Sequence, residues 1–509
     1  MASNKLEGVG ARFGAVDQDV DRLRRDMYVE VRVGGYEMDS SGKGGYRFDF
    51  DPDADYKDTQ RQFFGPLEDD TEAIRAQFWL ATDQAYKNAL SFFLGKKAGM
   101  IYKADTPDDE KFDDFSREKA HRYVGPEATI AFDKEKWTDF VRSLSEELMR
   151  DEEVVEHEIR VNAQTETRYY VNSEGTEIIS SDALISFYAY GRAYADDGME
   201  LQNNIVRYAG SNEYMRTFEQ LREDTLQMVA ELKALRKAPV IDPYTGPAIL
   251  DAYTTGVFFH EAIGHRLEGE RMRDTQEGQT FKGKVGQKIL PEFVSVYDDP
   301  TQRVAQGEEL NGHYEYDNEG VPAQRVTLVK NGELKSYLLS RAPVAGFKHS
   351  NGHGRSDGRA DPMGRMAVTI VSPSETLTSE GLKQKLIEEV RRQGKPYGLI
   401  LRRSEGGETS TGRVNFQAFA NRPKLIYKVD PDTGEEMLVR GAELVGTPLI
   451  SISKIIAMDD TPGVFNGFCG AESGMIPVSA TAPAALVSEI ELQRSSAQPK
   501  RPPILPAPF

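Results

Sequence analysis

Cysteine is nearly absent from this sequence: Cys469 is the single one among 509 residues. That excludes an intramolecular disulfide and fits a reducing compartment, so a cytoplasmic location is expected. Long apolar runs are missing too. No window approaches the roughly 18 consecutive apolar residues of a membrane-spanning helix, and the opening MASNKLEGVGARFGAVDQDV has no apolar segment of a secretory signal. Positive charge is short, with 63 Lys+Arg against 82 Asp+Glu and a formal net charge of −19. A surface of that sign repels phosphate backbones and anionic lipid, so neither nucleic acid nor membrane is expected as a direct partner. Core material is plentiful at 39% hydrophobic and 28% charged residues, which excludes global disorder. The length suits two large domains, or about three at roughly 150 residues each.

The pattern along the chain is α+β. Residues 71–95 carry apolar side chains at helical spacing, with Gly95 as a stop signal. From 154 to 208 the texture is alternating and β-branched, with Asn172–Gly175 as a turn, which predicts an antiparallel meander. A long helix follows Ser211, with Tyr214, Phe218, Leu221, Met228, Leu232 and Leu235 on one stripe, and ends before Pro239. The cluster Pro239, Pro243, Gly246 and Pro247 marks a boundary between an N-terminal domain, 1–238, and a strand-rich domain, 239–490. Beyond it a helical stretch is expected over roughly 255–274. Two hairpins follow, at Asn331-Gly332 and at DPDTG, with a helix near 378–393 among the strands. Residues 491–509 form a tail whose end, QPKRPPILPAPF, holds five prolines and precludes regular structure.

The string that bears on chemistry is GVFFHEAIGHRLEGE, residues 256–270. It sets His260, Glu261 and His265 on a helix behind an apolar run. Neutral imidazoles bind Zn²⁺, and a neighbouring carboxylate can take a proton from metal-bound water. The familiar zinc-protease spacing is H-E-x-x-H, which puts two histidines on one helical face. Here one residue is added. At about 100° per residue the two imidazoles of an ideal α-helix then stand about 140° apart and cannot share an ion. Either the spacing is accidental or the helix is distorted, by a π-bulge or by loosening at Gly264.

A catalytic zinc site also needs a third protein ligand. Glu268, Glu270 and Asp274 read mainly as a solvated helix face. His349 and His353 sit in a Gly-rich stretch where their spacing has no helical meaning. Cys469 has the strongest chemical claim, as a thiolate, yet residue chemistry alone leaves a small buried hydrophobe equally open. Arg355 and Arg359 are candidates to clamp a peptide carboxylate or carbonyl, or are a solvated loop.

HEAIGH followed by LEG, DPMGRM (361–366), GTPLISISKIIAM (446–458) and CGAESGMIPVSATAPAALV (469–487) together resemble the TldD/PmbA family, metalloproteases once described as modulators of DNA gyrase. The resemblance spans most of 239–490 and is looser before it, and the intact histidine motif points to a TldD-type subunit. It implies that His260, His265 and Cys469 ligate Zn²⁺ and that Glu261 is the general base. It also implies an N-terminal α/β domain joined to a C-terminal, barrel-like domain carrying the metal-site helix. The expected assembly is a dimer, with itself or with a PmbA-type subunit, that encloses the metal in a chamber open to short or unfolded peptides. The function expected is zinc-dependent peptide hydrolysis. The alternatives are a non-peptide hydrolysis or rearrangement in a biosynthetic pathway at the same metal, and a non-catalytic peptide-binding subunit with a structural ion.

Overall fold

The computed structural model describes residues 1–41, 62–102, 112–273, 279–409, 419–446 and 452–494. Five α-helices are found among them: α1 (Thr71–Tyr102), α2 (Lys134–Met149), α3 (Phe218–Lys237), α4 (Ala252–Ala262) and α5 (Ser379–Arg392). Together with several sheets they make an α+β fold. None of these helices is long and apolar enough to cross a membrane.

The first half is built on a seven-stranded sheet. Its centre is the antiparallel set Ala2–Arg12, Glu156–Val171, Glu177–Tyr194 and Glu200–Ala209, which includes the expected meander. The two opening strands, Ala2–Arg12 and Ala15–Tyr28, carry alternating charges and gave no apolar signal to the sequence reading. Helices α2 and α3 cover the sheet, and Val141, Leu144, Leu221, Met228 and Leu232 pack with Ile159, Val161 and Phe187. The start of α3 is fixed by a reciprocal cap between Thr217 and Gln220, so Tyr214 lies before the helix and not on its stripe. Helix α1 continues past Gly95 to Tyr102, because glycine in a helix interior costs only about 1 kcal/mol.

The second half holds two sheets that enclose α4. In one, strands Gly398–Thr409, Tyr244–Leu250, Ala485–Arg494, Ala442–Gly446 and Phe419–Val429 pair in turn, and the last pairs with the first. The path returns on itself, a barrel-like ring. The other sheet is six-stranded and ends in the hairpin of Gly463–Ala471 with Gly474–Ala482. Both expected hairpins are present. Asn331 and Gly332 have φ of 48° and 78°, the left-handed pair that a type I′ turn requires, and Val429 pairs with Glu436 across the second turn. Leu425 from the ring joins the core of the first half, so the two halves are knit together.

The helical stretch expected over 255–274 is corrected by the structure. α4 stops at Ala262, and two short 3₁₀ turns follow, Gly264–Leu267 and Gly269–Met272. Asp274 and the proline-rich end of the tail lie outside the described residues.

Candidate metal site

Helix α4 begins at Asp251, whose carboxylate accepts from the N–H of Thr254 and, across to the ring, from the N–H of Arg403. Every residue from Thr254 to Ala262 is buried. A helix apolar all round belongs inside a protein, and here it lies between the ring strand Gly398–Thr409 and the hairpin 463–482. Burying Phe258 and Phe259 stabilises this placement by roughly 1.5–3 kcal/mol each. The helix is therefore a rigid mount for the two side chains at its end, His260 and Glu261.

The break after Ala262 resolves the spacing problem. Gly264 packs so tightly on Met366 that a Cβ there would stand 1.8 Å from Met366 Sδ. The chain tightens into the 3₁₀ turn at that point and swings His265 back towards His260. The two rings end 5.0 Å apart at 88°. The departure from α geometry falls at Gly264, as a tighter 3₁₀ turn after the end of α4 and not as a π-bulge.

The hairpin brings the third group. Cys469 pairs with Ile476 and faces inward, with Sγ 3.2 Å from His260 Nε2 and 3.3 Å from His265 Nε2. The three donor atoms lie within 4.8 Å of one another, the one such cluster of potential metal-binding side chains among the described residues. Two imidazole nitrogens and a sulfur suit Zn²⁺, and three protein donors are the number found in catalytic zinc sites. Glu261 Oε2 stands 3.9 Å from His265 Nε2, beside the cluster. Its position is set by close contact with the ring strand: a Cβ on Gly407 would lie 2.3 Å from Glu261 Cγ.

The surroundings are strongly charged yet buried. Glu268, expected on a solvated face, is fully buried; its Oε1 accepts from His265 Nδ1 at 3.1 Å and its Oε2 from Arg271 Nε at 2.8 Å. Burial works to raise its carboxyl, but His265, Arg271 and Arg365 overcome this and hold it down to about 2. Burial likewise opposes charge on His265 and Cys469. Their mutual attraction prevails, raising the imidazole well above its ordinary range and holding the thiol well below. Arg365 donates through Nη2 to Cys469 Sγ at 3.1 Å and to its carbonyl at 2.9 Å. Arg271 grips Glu472, just past the cysteine, through two bonds of 2.9 and 3.0 Å. Arg266 donates to the Glu261 carbonyl at 2.7 Å.

The remaining sequence candidates are not among the three clustered donors. His353 is buried between Asp298 and Asn351, and His349 is exposed near Glu118. Arg355 is buried over the Tyr314 ring with Nη1 donating to the Met366 carbonyl, while Arg359 is exposed beside Asp357. The sequence pattern puts Glu268 on a solvated face, where the structure buries it, and gives no sign of Arg365 or Gly407. The first two stand in the quoted LEG and DPMGRM strings, but nothing in their type showed what they touch.

Residues 243–494 match the family model described as PmbA/TldA metallopeptidase C-terminal domain. A metalloprotease of Methanocaldococcus jannaschii is 30% identical over 336 residues, covering 65% of this chain and 68% of that protein. A protein of Saccharolobus solfataricus named zinc metalloprotease TldD homolog is 28% identical over 248 residues, 48% of this chain and 51% of its own length. The crystal structure of TldE from Thermococcus kodakarensis shares the fold, with a TM-score of 0.60 at 14% identity over 97% of this chain and 95% of that one. Family model, relatives and fold agree: the chain belongs to the PmbA/TldD family.

Proposed function

We propose that the chain is a zinc-dependent peptidase with His260, His265 and Cys469 as ligands and Glu261 as general base. The observation that carries this reading is the convergence of two Nε2 atoms and one Sγ within 4.8 Å, with a carboxylate beside them. When bound, zinc polarises a scissile carbonyl and acidifies its water. Glu261 takes the proton from the attacking water and passes it to the leaving amine. His265 binds an ion only as the neutral imidazole, so loading the site releases its proton. The donor set suits the metal, and the names of the relatives point the same way.

Peptides, short or unfolded, are the proposed substrates. His260, Glu261, His265 and Cys469 are each less than a tenth exposed, which suits a thin extended chain and not the surface of a folded protein. The proposed assembly is a dimer enclosing this site, with itself or with a PmbA-type subunit; the fold shared with TldE supports such pairing. The test is metal analysis of the purified chain with peptide cleavage, alone and with a PmbA-type partner, for the wild type and Glu261→Gln. Zinc bound in both, with hydrolysis about 10²–10⁴-fold lower in the variant, is the expected result. Full activity in the variant removes the general-base role.

A further inference from the structure

Two fully buried charges of opposite sign, neither among the three clustered donors, link the two segments that supply them. Glu268 Oε1 stands 3.1 Å from His265 Nδ1 and 3.2 Å from Arg365 Nε. The other end of the Arg365 guanidinium holds Cys469 twice, at Sγ and at the carbonyl oxygen, and reaches Ser473 Oγ at 2.9 Å. A continuous path of contacts thus runs His265, Glu268, Arg365, Cys469. Arg271 runs beside it, with Nε on Glu268 and both terminal nitrogens on Glu472. Buried charges are costly and are a poor way to stabilise a fold, since a well-packed apolar group often does as well. What this pair adds is geometry. An ionised carboxylate can only accept, so His265 must carry a hydrogen on Nδ1, and Nε2, on the side of the sulfur, is the nitrogen left to face an ion. The guanidinium holds the cysteine in a comparable way: Nη2 alone donates to its sulfur and its carbonyl, while Nη1 is tied to Ser473 a few residues on.

We propose that Glu268 and Arg365 form a positioning brace for the metal: the carboxylate sets the tautomer and orientation of His265 while the guanidinium clamps Cys469. Two donors 204 positions apart are thereby held at one spacing. Neither residue touches reacting atoms, so both are positioning residues. The proposal rests on the zinc reading above.

The test titrates the full-length chain with Co²⁺ and, against a competing chelator, with Zn²⁺. It compares the wild type, Glu268→Gln and Arg365→Met, and follows thermal unfolding of each with chelator present. Zinc affinity should fall about 10–100-fold in each variant, the usual effect of removing a group that orients a ligand. The sulfur-to-cobalt charge-transfer band should move to lower energy in Arg365→Met, because the sulfur loses its hydrogen-bond donor, and should hold its position in Glu268→Gln. The double variant should cost less than the two single losses combined, because both act on one unit. Where Arg365→Met does not fold, Arg365→Lys keeps the charge but has one nitrogen in place of the three that face Glu268, Ser473 and Cys469, and should show the same loss of affinity. Variants that unfold more easily but bind Zn²⁺ within twofold of the wild type would make the pair merely structural and overturn the brace. A folded wild type that binds neither ion would instead remove the zinc reading itself, and the brace with it.

Discussion

Cys469 Sγ lies 3.2 Å from His260 Nε2 although 209 positions separate the two residues in the chain. The relationship is made by strand pairing: the inward face of Gly463–Ala471 is laid against a helix that the ring holds in place. Replacing Cys469 with Ser therefore tests a ligand and little else. Serine retains a hydrogen-bonding group for Arg365, so the stability cost should stay within about 1–3 kcal/mol, the range for a buried hydroxyl in proteins. Metal content after gel filtration should fall to a small fraction of the wild type, and peptide hydrolysis with it. Wild-type metal content in Cys469→Ser would return the cysteine to the role of a small buried hydrophobe.

The sequence made some of this legible and hid the rest for physical reasons. His260, Glu261 and His265 stood out because their residue types and the apolar run before them carry local information. The helix α5 and the turn at Asn331-Gly332 were equally local, set by a Thr378 cap and by a backbone that only certain residues adopt. Glu268 was misplaced on a solvated face because its burial depends on Arg271 and Arg365, the second of which arrives from a distant segment. The stop of α4 at Ala262 was not fixed in advance either. Gly264 permits it, but Met366 presses the chain into it, and that contact is tertiary.

That contact gives a second prediction. Gly264→Ala places a methyl group where Met366 Sδ sits, in a site with no spare volume. Overpacking of this kind costs about 1–3 kcal/mol, and the displaced turn should also carry His265 away from Cys469. Chemical denaturation should show the loss of stability, and zinc competition a parallel loss of affinity. Adding Met366→Ala should restore much of both, since the smaller side chain gives the methyl its room; the two changes should be strongly non-additive. Additive losses would mean that the turn is set by something other than this contact.

A pH dependence of stability follows from two carboxyls outside the donor cluster. Burial pushes Asp317 up to about 6, against the backbone N–H groups of Val321, Gly354 and Glu319 that favour its charge. Glu319 is raised well above the usual range, first by burial and then by the charge of Asp317, with Arg32 offsetting part of it. The folded chain thus keeps protons that the unfolded chain releases near pH 4. More protons bound in the native state means that stability falls as pH rises. The contribution is fully present below about pH 4 and is lost as pH passes the native value near 6 for Asp317, and higher for Glu319. Glu319→Gln keeps an oxygen for the Arg341 N–H and removes the charge that must be buried. Its melting temperature should fall less steeply than that of the wild type from pH 4 to 8. Parallel curves would show that the Glu319 carboxyl titrates alike in the folded and unfolded chain.

The last prediction separates the general base from the metal. Gly407, on the ring strand, lies so close to Glu261 that a Cβ would stand 2.3 Å from Glu261 Cγ, 2.9 Å from Cδ and 3.0 Å from Oε1. Gly407→Ala must therefore push the Glu261 side chain aside. The three atoms this methyl meets first all belong to the Glu261 side chain, and none belongs to His260, His265 or Cys469. Zinc affinity should stay close to that of the wild type. Hydrolysis should drop, because a base must sit within hydrogen-bond reach of the proton it takes, and a displacement of about 1 Å can cost on the order of 10² in rate. The loss should appear in kcat more than in KM, since Glu261 acts in the transition state and does not hold the substrate. Adding Gly407→Ala to Glu261→Gln should then reduce activity little further, because the group it displaces is already disabled. If Gly407→Ala instead lowers zinc binding and leaves kcat intact once the ion is restored, Gly407 shapes the metal site as a whole and Glu261 does not depend on the strand for its position.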